Sequence, residues 1–499
     1  MKLKQIALAI CVTLMATAAV AAPITPAQIG AAQSGGILQK AWISGATAPT
    51  RVVYEGWVDG CDANTNSIFV SQTGSAVIPG SIGNYLAYAC TRGGVASVLF
   101  HTLDGGSLNA YAPHTVGTKL ARISLAGIIA TTSAPLAYND ASQPLNNANV
   151  YKGVAQVGAN QPTTGPTAAS NAANAAAVAG DANGPQLPVG GFSDVEAALF
   201  SAAVGGGNVS SKGTEAQANI GQVFGVVVST NLYRAMQAAQ GIIAADANFD
   251  PALAPNITSS QYAAIIDNDN SSAYKQDWSL LAGAAGAGKK VILARRVATS
   301  GTQSSSNAFF LRTPCADAVQ GNLSPATTTD SIPGIFEVTE NSSNGNVKAQ
   351  ITAANAAGNY AIGVMSAEND WSLESATASP LANGYRWLKI DGIHPETASD
   401  FTNPLNGRGN ARLSTVTGNY AFHTEARYFV ANTAAAGFAA NIVPAIAAKL
   451  GNPPTAAACN TVPRGLTLNP LGGSTCTVGI VVHKGTNGGN NCAPNKLFF

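Results

Sequence analysis

Charge is scarce in this chain: 10% of its 499 residues are Asp, Glu, Lys or Arg, and 26 basic against 25 acidic residues leave a net charge of +1. No global field would recruit nucleic acid or an anionic membrane, so any anion site has to be built locally. Histidine is scarcer still. The five (His101, His114, His394, His423 and His483) never stand four apart, and no CxxC occurs, so a metal site has no support. No Gly-x-Ser-x-Gly elbow is present for a serine hydrolase of that kind, and no catalytic residue is assigned. Residues 283 to 290 imitate a P-loop, but the Ser/Thr after the lysine is missing and the glycines precede a strand. No cofactor is expected.

What the chain has in quantity is apolar residues, 46%, and 52 glycines, with Ala, Ser, Thr and Asn filling most of the rest. That is the composition of a loop-rich secreted protein, and its length points to two domains or three. Lys2 and Lys4 precede an apolar run from Ile6 to Val20, and Ala19-Val20-Ala21 supplies small residues at a cleavage position. Residues 1–21 therefore read as a signal peptide cut near Ala21/Ala22, with no membrane span once it is removed. The product is expected in the periplasm or outside the cell. Loss of Cys11 leaves Cys61, Cys90, Cys315, Cys459, Cys476 and Cys492, an even number that reads as disulfides. Cys61 with Cys90 is a plausible pair, as is a pair within the C-terminal tail; the sequence does not choose among the connectivities.

Apolar runs at 95–100, 222–228, 290–294, 360–365, 385–390 and 420–430 read as strands, and 231–237, 259–266, 304–312, 347–357 and 433–450 as helices. Strands alternating with helices argue for an α/β architecture. Residues 60–93 read as a disulfide-closed insertion, and 158–188, rich in Ala, Asn, Gly and Pro, as a mobile surface loop. Ser193 and Glu196 form a capping-box signature for a helix running to residue 200.

The stretch Arg296-Val-Ala-Thr-Ser300-Gly301-Thr302 joins a strand to a helix. It places a planar cation, two hydroxyls and a permissive glycine beside the free N–H groups of a first turn, which suits a small anion and equally suits an ordinary Ser/Gly cap. Two further strand-end loops precede it, Gly45-Ala46-Thr47 and Ser193-Asp194. Together the three resemble the phosphate-binding protein of ABC phosphate importers, in the type II periplasmic binding protein superfamily. The resemblance implies a two-lobed α/β fold with a ligand cleft between lobes: residues 36–228 with 366–499 as one lobe, 229–365 as the other.

It further implies that Thr47, standing at a helix N-terminus, donates to a phosphate oxygen. Arg296 would make a charged contact, and Ser300, Gly301 and Thr302 would supply hydroxyl and backbone donors. Asp194 would accept the proton of phosphate and repel sulfate; read on its own, it is also an ordinary first-turn acid. Gly106 and Ser107, in Asp104-Gly-Gly-Ser107, stand where the family has a Gly-Ser-Ser-Gly-Gly loop. Departures are Ala48 for the family's aromatic, Ala298 for its acid, and Asp104 itself. The implied function is an exported solute-binding protein for a tetrahedral oxyanion, phosphate first, monomeric and partnered by an ABC permease. The alternative is a secreted or cell-surface protein that keeps the fold in a structural or adhesive role, with a phosphate-ester hydrolase third.

Overall fold

A computed structural model describes residues 22–74, 83–138, 148–157, 181, 184–242, 251–267, 277–316, 321–325, 334–369, 384–396, 412–451, 459, 462–469 and 476–497. The expected signal peptide and most of the 158–188 loop lie outside these. The chain is mixed α/β, built on one 14-stranded sheet. Its main strands are β1 (Gln39–Gly45), β2 (Asn66–Val70), β3 (Tyr85–Arg92), β4 (Val95–Thr102), β5 (Leu136–Tyr138), β6 (Ala148–Tyr151), β7 (Gly190–Ser193), β8 (Gly213–Ser229), β9 (Val291–Arg296), β10 (Phe336–Asn341), β11 (Ile362–Ser366) and β12 (His423–Ala431). Across the sheet the order is β10-β9-β11-β8-β12-β7-β1-β4-β3-β2-β6-β5. β1 runs parallel to β4 and β7, and β9 parallel to β10 and β11, so each trio ends its strands on one edge. Ligands of open α/β sheets gather at such carboxyl edges.

The period-2 alternation of these strands divides the core. In β1, Ala41 and Ile43 join Leu86, Tyr88 and Leu99 on one face, under helices α1 (Thr50–Val58) and α6 (Phe438–Leu450); Trp42 joins Ala87, Val98 and Phe100 on the other. Around β9 the same division recurs. Leu293, Ile362 and Val226 meet α2 (Thr230–Ala239) and α3 (Ser259–Ile266), whereas Ile292, Ala294 and Val227 meet α5 (Asn344–Ala356). Both faces covered is what the parallel trios of this mixed sheet require. β8 is the long member, 17 residues, pairing first with β12 across a register shift between Gln217 and Gly221 and then with β11.

Several expectations are corrected. Residues 60–93 are not an insertion: β3 pairs with β4 along its whole length and β2 with β3, inside the sheet. The capping box at Ser193 opens no helix. Ser193 ends β7 and turns on itself, its Oγ donating to Val195 O at 2.6 Å and accepting from Val195 N at 3.3 Å. Glu196, the other half of the box, instead accepts from Asn491 N at 2.8 Å, and Ala197 N donates to Glu215, leaving one 3₁₀ turn at Ala197–Leu199. The helix expected at 304–312 begins earlier, as α4 (Gly301–Ser306), and runs on as a π turn over Asn307–Leu311. The strand at 385–390 is broken into Tyr385–Trp387 and Lys389–Ile390.

The six cysteines form Cys61–Cys90, Cys315–Cys492 and Cys459–Cys476. Within the Ala/Asn-rich stretch, Asp181 is buried. Arg122 Nη1 donates to its Oδ2 at 2.8 Å, as does Leu125 N, while the guanidinium lies 5.0 Å from the Phe100 ring. Among the described residues no helix is long and apolar enough to cross a membrane.

Candidate functional site

Neighbours in a strand face opposite ways, and β9 uses this at its last two residues. Arg295 pairs with Glu340 at 2.8 Å. Arg296, 6% exposed, reaches the start of α5: Nη1 donates to Asn344 Oδ1 at 2.7 Å, Nη2 to Ser342 O at 3.0 Å and Nε to Asn341 O at 3.3 Å. The network continues through Asn344 Nδ2, which donates to Ser366 Oγ at 2.6 Å, and Ser366 Oγ donates to Glu368 Oε1 at 2.8 Å. Gln222 Nε2 donates to the other oxygen of Glu368 at 3.1 Å. Burial pulls the Arg296 guanidinium down to about 10, against the opposing pull of Asp194 and Glu368, so it stays charged at neutral pH. Burial likewise pushes the Glu368 carboxyl up.

Three loops converge beside it. Gly106, after β4, has φ +78, and a Cβ there would come within 3.2 Å of Thr299 O; its neighbour Leu108 N donates to that same oxygen at 3.1 Å. Ser107 Oγ donates to Asp194 Oδ2 at 2.8 Å, both residues buried. At the start of α4, a Cβ on Gly301 would lie 2.5 Å from Ser107 Oγ and 2.6 Å from Asp194 Oδ2, so only glycine lets the helix approach this closely. Desolvation pushes the Asp194 carboxyl up to about 6; the Ser107 hydroxyl and Arg296 oppose the rise and Glu368 adds to it.

Beside Gly106 and Arg296 opens a polar cleft of about 880 Å³, lined by Thr47, Tyr85, Asp104 and Gly106 together with Arg296, Ser342, Asn344, Lys348 and Glu368. Of the sequence-predicted residues, Thr47, Gly106 and Arg296 thus line the cleft, and Ser107, Asp194 and Gly301 touch one another. Ser107, Asp194, Ser300, Gly301 and Thr302 are all buried and none of them lines the cleft. Thr47 does not stand at a helix N-terminus, because α1 starts at Thr50, whose N–H and hydroxyl both bond Thr47 O. Asp104 is not a bare charge: Tyr85 Oη donates to it at 2.6 Å.

Sequence reasoning missed Asn344 and Ser342, although the polar run Asn341-Ser-Ser-Asn-Gly-Asn346 between a strand and a helix is a cap signal. Glu368 carries no local signal. Chemically, the arrangement offers donors from Arg296, amide and hydroxyl groups together with carboxylate acceptors; among the described residues no cluster of three or more His, Cys, Asp and Glu could hold a metal.

No protein-family model and no curated protein matches the chain. Among solved structures, a phosphate ABC transporter substrate-binding protein with bound phosphate, from Clostridium perfringens, is similar at 10% identity and a TM-score of 0.31, over 82% of this chain and 93% of that one. A likeness that distant leaves the reading of the site to its own geometry.

Proposed function

We propose that this chain is an exported solute-binding protein that takes a tetrahedral oxyanion, phosphate first, at the cleft beside Arg296 and performs no chemistry on it. One observation carries the reading: loops far apart in sequence bring Ser107, Asp194 and Gly301 into contact next to a buried guanidinium. Donors from Arg296 and Thr47, which line the cleft, would take the oxygens. Asp194, an acceptor only when ionised, would take the ligand's proton and disfavour sulfate, which has none to give. Residues 36–228 and 366–499 would move as one lobe and 229–365 as the other. Three disulfides suit an exported chain, and an ABC permease is the partner such a monomer would serve. Calorimetric titration with phosphate and with sulfate tests this; heat from neither ion would sink it.

A second reading is favoured by a specific observation. The guanidinium of Arg296 is already bonded to three oxygens, and Ser107 and Asp194 satisfy each other. A self-sufficient network of this kind suits a secreted or surface protein that keeps the fold in a structural role. On that reading, millimolar phosphate leaves the thermal unfolding midpoint unchanged.

A further inference from the structure

A second cavity, of about 580 Å³, opens along the helix that α4 begins, away from Gly301. Ser305, Ala308 and Phe309 line it from that helix, with Arg312 just past the helix end at its rim. The C-terminal segment, Asn491 to Asn495, forms the other wall, tied to the first by Cys315–Cys492. Its character is opposite to that of the polar cleft. Phe309 lies stacked on the buried Phe422, centroids 4.9 Å apart and planes 24° apart, so Phe309 presents an aromatic floor that Phe422 backs from behind.

Two backbone features coincide here. The helix widens into a π turn over Asn307–Leu311, and Arg312 follows in the left-handed region at φ +56. π turns and left-handed non-glycine residues recur at functional sites, where the surroundings hold them against their cost. Arg312 is exposed, and among the described residues its guanidinium has neither an ion pair nor a hydrogen bond. An unspent planar cation at the rim of an aromatic pocket calls for an anion with an apolar body.

We infer that this cavity is a second ligand site, for an aromatic carboxylate whose ring lies against Phe309 and whose carboxylate is held by Arg312. The volume falls within the roughly 300–1,000 Å³ typical of small-molecule pockets. This site shares no residue with the oxyanion reading and stands or falls separately. The test is calorimetric titration of the full chain with 1-naphthaleneacetate and its neutral isostere 1-naphthaleneacetamide. The acid should bind saturably at one per chain and the amide about tenfold or more weaker, since charge-assisted hydrogen bonds are lost. Arg312→Gln should bring the acid down to the level of the amide without moving the amide, and Arg312→Lys should keep part of the preference. Phe309→Ala should weaken both. A parent that does not bind the acid, acid and amide binding alike, or Arg312→Gln binding the acid as the parent does would each overturn the assignment.

Discussion

Replacing Asp194 with Asn should stabilise the protein at neutral pH and leave it unchanged in acid. The carboxyl is 6% exposed, and burial pushes it from the ordinary 3.8 up to about 6. A carboxyl whose folded value lies above its unfolded value is one the fold keeps protonated. Its contribution is therefore most favourable below about pH 4 and turns unfavourable as the pH rises through 6. The displacement corresponds to a penalty of about 3 kcal/mol on the ionised form above pH 7.

An amide has nearly the same shape, accepts the Ser107 hydroxyl through Oδ1 and carries no charge to desolvate. The parent and Asp194→Asn should then have equal urea stabilities at pH 4 and diverge by about 3 kcal/mol by pH 7.5, the variant being the more stable. Glu196 and Glu368 are present in both proteins, so their own titrations largely cancel in the difference. A gap independent of pH would refute the reasoning, and a variant less stable at every pH would show that the carboxylate is tied down by donors not identified above. The same variant should admit sulfate if the cleft takes an oxyanion, since an amide can donate where a carboxylate only accepts.

Arg296→Ala should weaken phosphate binding by about 2–5 kcal/mol, whereas Arg295→Ala, whose partner is Glu340, should leave it nearly unchanged; equal losses in calorimetry would remove Arg296 from the site. Asp181→Ala strands the buried Arg122 and should cost about 3–5 kcal/mol in urea unfolding, part of it recovered in Arg122→Met/Asp181→Ala. Gly301→Ala drives a methyl group to 2.5 Å from Ser107 Oγ and should cost about 1–3 kcal/mol, with Ser107→Ala in the same chain relieving part of the loss. Replacing Cys315 and Cys492 by Ser, which frees the tail from the helix end 177 residues away in sequence, should lower stability by about 2–4 kcal/mol in thermal melts.

The α/β alternation was legible because period-2 apolar runs and capped helices are local signals. The helix Ser259–Ile266 begins and ends where its sequence says, with Thr258 and Gln261 forming a complete capping box. The Ser193–Glu196 signature is as strong on paper and fails, because Glu196 is claimed by Asn491, 295 residues further on, and the backbone has no helix to cap. Local chemistry nominates; tertiary partners decide. The loops of the candidate site were legible as strand ends rich in Gly, Ser and Thr. The groups that hold Arg296 were not, since Asn344 lies 48 residues downstream and Glu368 enters only through the folded sheet.

β8 runs through the sheet as 17 consecutive residues, bonded to β12 on both sides of its irregularity at Gln217–Gly221 and to β11 from Phe224 onward. Any swing of the two cores about the cleft is therefore not the play of a slack linker. It would have to be taken up as elastic bending of a hydrogen-bonded ribbon where the β12 pairing hands over to the β11 pairing, at Val223–Phe224. Such a ribbon behaves as a leaf spring. If the cores close on a ligand as proposed, it would limit the opening angle, return the cores to one resting separation, and make the tightness of capture depend on residues well outside the cleft.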